Sequence, residues 1–177
     1  MPDGDEKFYK NVVKRIKKND PVALSYMGKK HDHEGDYKGA LEYLTKAAEL
    51  GDAYAHYELS RMYHRGEGVD RDKEKYIYHL EEAAIGGHPT ARHNLGIEEM
   101  DNGKYERARK HFIIAANLGY HNSLEGLRQL YEDGHASKDD YANALRAYQA
   151  SLDATKSEER EVADAYFKAL DAARLNN

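Results

Sequence analysis

Ten histidines and 32 aspartates and glutamates give this 177-residue chain ample material for metal or acid–base chemistry, yet their spacing withholds it. His31 and His33 are two residues apart, which turns the rings to different sides of a helix, because only side chains three or four apart share a face. The chain has no His-Glu-x-x-His run and no cysteine, so a tetrahedral zinc site would have to draw ligands from several helices. No metal is expected, and the histidines are expected on the surface, titrating at about pH 6.5. Glu98-Glu99 and Asp139-Asp140 are adjacent pairs that diverge by about 100° on a helix, so neither makes an acid–base dyad. Gly66-x-Gly68 lacks the strand and the lysine of a phosphate loop, and Gly-x-Ser-x-Gly is absent. These patterns nominate no catalytic residue and no cofactor, and the chain is not expected to be an enzyme.

The elements that position these residues are helical. The three prolines stand at positions 2, 21 and 89, and the last two precede helix-forming stretches, where proline is tolerated at the first turn. The chain also repeats. Ala23-x3-Met27, Ala55-x3-Leu59, Ala91-x3-Leu95 and Ser123-x3-Leu127 are related by shifts of 32, 36 and 32 residues. The pairs Ala47-Ala48, Ala83-Ala84 and Ala115-Ala116 follow at spacings of 36 and 32, each ahead of a glycine-containing turn. Each unit reads as two helices. In the first, Val22 to Glu34 ends at Gly35-Asp36, and Tyr37 to Leu50 carries Ala40, Leu41, Leu44, Ala47 and Ala48 on one stripe. Small residues such as Gly28 let antiparallel backbones approach, while Leu44 or Phe112 fills the adjoining gap. Asp72 and Ser137 are expected N-caps. Tyr63 with Tyr131, and Tyr37 with Tyr105, are expected to occupy shared packing positions.

The expected fold class is all-α, a solenoid of about four helix-turn-helix repeats, as one domain over 1–177. The repeats span about 20–52, 53–88, 89–121 and 122–154. A basic amphipathic helix over 5–19, with Phe8, Val12, Val13 and Ile16 inward, is the expected N-terminal cap. A last helix opened by Ser157-Glu158-Glu159, with Val162 among its inner residues, is the expected C-terminal cap over 155–177.

The pattern Ala-x3-Leu-Gly, a Gly-rich turn, then Lys-Ala-x3-Tyr/Phe-x2-Ala-Ala-x-x-Gly resembles the Sel-one-like repeat, a relative of the tetratricopeptide repeat. Ala55 to Val69 and Glu82 to Gly96 carry it most clearly, within a resemblance covering roughly residues 20 to 154. The resemblance implies a right-handed superhelix of helix pairs with the first helix of each pair on the concave side. It also implies adaptor or scaffold roles in assembling protein complexes. Some bacterial members hold a disulfide in every repeat, from which this cysteine-free chain departs.

If the first helices line a concavity, the residues facing it follow. They are Val22, Ser25, Lys29 and Asp32 in the first unit, and Tyr54, Tyr57, Arg61 and His64 in the second. The third offers Thr90, His93, Ile97 and Met100, and the fourth Asn122, Glu125, Gln129 and Glu132. Tyrosine and arginine carry interface energy through large area and a polar handle. Lys29, Tyr54, Tyr57, Arg61, His64, His93, Ile97 and Met100 are therefore the expected partner-binding residues, with Lys29 and Arg61 expected to hold a carboxylate of an extended peptide.

Charge excludes other classes. The net charge is −5, without the basic face of a nucleic-acid binder, and no run of about 18 apolar residues could span a membrane. Residues 1–19 are basic and residues 122–177 acidic, both mildly. The absence of a signal pattern and of cysteine suits the cytoplasm or another reducing compartment. The expected function is a non-catalytic scaffold binding a protein or peptide partner. The alternative is a structural or self-associating solenoid arm, or an engineered repeat protein, with no groove ligand.

Overall fold

The computed structural model describes residues 3–175, with side chains described for residues 6–155 and for Val162. Every regular element among the described residues is a helix: α1 (Asp3–Ile16), α2 (Pro21–His33), α3 (Tyr37–Glu49), α4 (Ala53–Arg65), α5 (Lys73–Ile85), α6 (Pro89–Asp101), α7 (Tyr105–Asn117), α8 (Asn122–Glu132) and α9 (Lys138–Leu175). The protein is an all-α helical-repeat solenoid. Its contacts gather into two compact units, Met1–Glu98 and Glu99–Asn177.

Aspartate starts most of the helices in the first unit. Asp20 accepts hydrogen bonds from the Val22 and Ala23 N–H groups at 3.0 and 3.1 Å, with Pro21 at the first helical position. Asp36, Asp52 and Asp72 cap α3, α4 and α5 through the N–H groups of Gly39, Ala55 and Lys75. Each carboxylate satisfies a donor that the first turn leaves unpaired. Gly35, in the left-handed region at φ +77°, reverses the chain after α2. In the second unit Ser137 caps α9: its Oγ accepts from the Asp140 N–H, and the Asp140 carboxylate accepts from Ser137 in return. The Asp72 and Ser137 caps are those expected.

Alanine and leucine form the seams between paired helices. In the first unit Leu24, Ala40, Leu44, Ala47, Ala55, Leu59 and Met62 pack as one buried cluster across α2, α3 and α4. Tyr76, Leu80, Ala83, Ala84, Ala91 and Leu95 form the next. A Cβ built on Gly28 would stand 2.6 Å from Leu44 Cγ, so the missing side chain is what admits the leucine. Gly126 has the same relation to Phe112 in the second unit, its virtual Cβ lying 2.8 Å from the ring. There Ala108, Phe112, Ala115, Ala116, Leu124, Leu127, Leu130 and Ala144 are buried.

Three expectations need correction. Phe8 is 52% exposed, with only its edge meeting Tyr26; Val12 is the α1 residue buried against Ala23 and Met27. The separate helix at Ser157 does not exist, since α9 runs unbroken from Lys138 to Leu175. No glycine or proline interrupts that segment, and its alanine, lysine, glutamate and arginine content favours continuation over a new cap. Val162, assigned to an inner face, is 71% exposed; the other inner residues proposed for that helix have side chains outside the described set. The tyrosines are structural in a different sense from core packing. Tyr37 lies against Gly68, and Tyr105 stacks on His135 with ring centroids 3.8 Å apart. Both rings are half-open pads under a loop of the following repeat, and Tyr131 is exposed.

Candidate binding face

Within the first unit, α2 and α4 touch, and Ser25 Oγ ties them by donating 2.7 Å to Asp52, the α4 cap. Ser25 is thereby 4% exposed and is withdrawn from the expected surface set. Between these two helices Lys29 of α2 meets the Tyr54 ring of α4, and Asp32 of α2 approaches Arg61 of α4; Tyr57 and His64 of α4 turn to His88 and Tyr76.

Arg61 is not a free cation. Its Nη1 hydrogen-bonds Glu58, while Asp32 and Glu67 bring oxygens within 3.9 and 3.8 Å of Nη2. Burial opposes the charge on Arg61, but the Glu58, Asp32 and Glu67 carboxylates outweigh it and hold the guanidinium above its ordinary range. The expectation that Arg61 holds a partner's carboxylate meets a guanidinium already surrounded by acids. Tyr54 reaches the same cluster. Burial, then the Glu58 carboxylate it hydrogen-bonds, pushes its hydroxyl up, favouring the neutral donor. Lys29 Nζ sits 5.6 Å from the Tyr54 ring centroid, a cation–π distance.

Tyr57 stacks on His88 with centroids 4.2 Å apart and planes 16° from parallel. His88 in turn caps α6, its Nδ1 accepting from the Ala91 N–H at 3.3 Å. Burial keeps both His88 and His93 below the usual imidazole range. His64 meets the Tyr76 ring at 4.7 Å, beside a cleft of about 290 Å³ that Lys73 and Glu98 also line. Burial and the Glu98 carboxylate raise the Tyr76 hydroxyl. Lys29, Tyr54, Tyr57, Arg61, His64, His93 and Ile97 thus lie in the first unit, and Met100 lies in the second. The fourth-repeat candidates Glu125 and Glu132 are held by Arg128 on the exposed side of α8.

A second polar cluster escaped the sequence. His56 Nδ1 lies 3.0 Å from His79 Nδ1, and its Nε2 lies 3.1 Å from the Ala48 carbonyl. A carbonyl only accepts, so His56 carries its proton on Nε2 and receives the His79 N–H on Nδ1. Burial first, then His56 and Lys75, push His79 down to about 4. The pair borders a cavity of about 520 Å³ that Thr45, Glu49, Tyr63 and Glu82 help to line. The two residues are 23 positions apart on different helices, so no local spacing announced them, and the surface titration expected of every histidine does not hold. Among the described residues, no three His, Asp or Glu side chains gather as a metal site, and no helix is long and apolar enough to cross a membrane.

Comparison with known proteins agrees with this architecture. A Sel1 repeat protein from Oxalobacter formigenes matches with a TM-score of 0.68 and 26% identity, over 79% of this chain and 44% of that one. The c5321 protein, a protective antigen of uropathogenic Escherichia coli strains with an SLR fold, matches at TM-score 0.62 and 22% identity, over 80% and 32%. The chain therefore spans less than half the length of either structure, and the second likeness bears on the fold alone. No curated protein matches. The Sel1 repeat model matches residues 21–52, 53–88 and 89–120, leaving the fourth helix pair unmatched. Because those three repeats cover more than half of its length, the chain belongs to the Sel1 repeat family.

Proposed function

We propose that this chain binds a peptide or helical segment of a partner protein along the first-helix face of its first unit. That Sel1 repeats generally serve as non-catalytic scaffolds mediating protein–protein contacts supports the reading. The observation that carries this reading is the row Tyr54, Tyr57, Arg61 and His64 on α4, flanked by Lys29. Two half-buried rings and a fixed guanidinium give area at little entropic cost, the composition that concentrates binding energy.

Selection of a random displayed peptide library on the folded protein tests it. The selected peptides should lose at least about tenfold in affinity on Tyr57→Ala and on His64→Ala, while Glu81→Ala on the exposed side of α5 leaves them unchanged. Melting curves establish that each variant is folded. Peptides indifferent to both α4 substitutions would refute the placement. One observation favours the second reading, a self-associating arm: Val22, Phe8 and Tyr26 leave an apolar patch on α1 and α2, with Val22 58% exposed. A mass that rises with concentration in light scattering, and is reset by Val22→Lys, would establish that reading instead.

A further inference from the structure

The cavity beside His56 and His79, built from α3, α4 and α5, has a lining whose hydrogen-bonding sense can be worked out. The Ala48 carbonyl accepts the His56 Nε2 proton, so His56 Nδ1 is bare and takes the proton of His79 Nδ1. Burial keeps His79 unprotonated at neutral pH, and a neutral imidazole has one N–H. With that proton spent on Nδ1, His79 Nε2 is an acceptor on a ring that borders a space of about 520 Å³. Two carboxylates border the same space, Glu49 from α3 and Glu82 from α5. Among the described residues neither forms an ion pair or a side-chain hydrogen bond. Lys75, which bears on His79, is drawn to Asp72 at 3.7 Å and lies over the Tyr63 ring at 5.1 Å. Lys46 stands exposed one turn before Glu49, and α5 has no lysine or arginine within a turn of Glu82. Setting Lys46 against Glu49 still leaves Glu82 without a counter-charge. The lining therefore accepts more than it donates and carries negative charge.

We propose that this cavity takes a guanidinium group, with N–H groups on Glu82, Glu49 and His79 Nε2 and its stem across Tyr78. The spread of the acceptors selects it. Among the described residues no three such groups converge as a metal site, so a small ion cannot satisfy them together. A guanidinium presents donors along a rigid plane and has no acceptor of its own, whereas an ammonium is a compact, strongly hydrated point charge. Weak hydration also suits a half-dry space that refuses a proton on His79. Tyr78 is 54% exposed beside the two histidines, and an arginine stem covers an aromatic ring well. The volume is that of an ordinary small-ligand pocket. The site is independent of the α4 row of Tyr54, Tyr57, Arg61 and His64.

Calorimetric titration of the whole protein with methylguanidine and with a Gly-Gly-Arg-Gly-Gly peptide tests the site and separates its two sources of ligand. Methylguanidine binding as tightly as the peptide assigns a free guanidinium compound, and a much tighter peptide assigns an arginine side chain. Glu82→Gln keeps the shape and should weaken whichever probe binds by at least about tenfold; His79→Phe should do the same. Glu81→Gln on the exposed side of α5, and Tyr57→Ala on the α4 row, should leave the titration unchanged. Melting curves establish that each variant is folded, and nitrogen NMR of the histidines should find His79 Nε2 without a proton in the free protein and shifted on binding. The site is overturned if neither probe binds at millimolar concentration. Equal binding of the citrulline or lysine version of the peptide overturns it too, as does binding that both Glu82→Gln and His79→Phe leave unchanged.

Discussion

His79 is the side chain through which acid should first loosen this protein. Its neighbours come from three helices: Thr45 and Glu49 from α3, His56 and Tyr63 from α4, and Lys75, Tyr78 and Glu82 from α5. Tyr63 stacks almost parallel to the ring at 5.6 Å, with Lys75 over its own face. A proton on His56 Nδ1 would set two N–H groups head to head across 3.0 Å. A proton on His79 would place a charge in a half-buried cavity beside a lysine. Folding lowers the His79 pKa from 6.5 to about 4, so below about pH 6.5 the unfolded chain binds a proton that the folded chain refuses. Stability is therefore full above that pH, declines as pH drops toward about 4, and loses nothing further from this group below it. Melting temperatures measured between pH 7 and 4 should show the decline, and His79→Phe should flatten it. His88 and His93, both lowered by burial, leave a residual slope. An unaltered slope in the variant would assign the effect elsewhere. None of this was legible in the sequence, because a contact across 23 residues depends on how two helices are rotated against each other. The family pattern constrains the stripe of alanines and leucines far more than the polar residues beside it. Arg61 is the companion case: its type and its place on α4 were readable, but Glu67 reaches it from a loop whose path only the folded chain reveals.

At the scale of the helix pair, the alternation of small and large residues was readable because it follows from distance alone. Gly28 opposite Leu44 is the clearest instance. Leu44 is 1% exposed, so it has nowhere to retreat from a methyl group that would lie 2.6 and 2.8 Å from its Cγ and Cδ2. Gly28→Ala gains roughly 1 kcal/mol of helix propensity, against about 1–3 kcal/mol for overpacking. The backbone N of Leu44 is also only 3.3 Å from the added Cβ, so the clash should win and the variant should melt lower. Adding Leu44→Ala should make the pair of changes cost less than the sum of the two singles, which a double-mutant cycle by chemical denaturation measures. Strict additivity would mean that the two positions do not share the space described. Helix ends were readable for the same local reason: an aspartate or serine before a helical run caps it wherever the tertiary structure leaves the carboxylate or hydroxyl room. The continuation of α9 through Ser157 was not. Ser157 looked like a cap, but a cap needs a chain that breaks, and nothing between Lys138 and Leu175 breaks it. Gly126 was also missed, since it lies outside the register that relates Gly28 to Gly96 and serves the contact with the preceding helix instead.

At the scale of the whole molecule, repetition was the most legible property, and it carries a thermodynamic consequence. A repeat protein is held by interactions within each pair and between neighbours, so damage to one seam need not spread evenly along the chain. The two units of contacts, Met1–Glu98 and Glu99–Asn177, each have buried clusters of their own. Leu44→Ala removes one of the large fully buried residues of the α2–α3–α4 seam and should destabilise it by about 2–5 kcal/mol. Hydrogen exchange read by mass spectrometry should then show faster opening in peptides from α2, α3 and α4. Peptides from α7 and α8, whose seam is built on Phe112 and Leu127, should keep their protection under native conditions. Phe112→Ala should invert the pattern. Equal acceleration of every helix by either substitution would mean that the chain opens as one cooperative block, and the nearest-neighbour account of its stability would be wrong. The selective pattern is the expected one, because α3 and α4 share the Leu44 cluster whereas the residues buried around Phe112 lie on α7, α8 and α9.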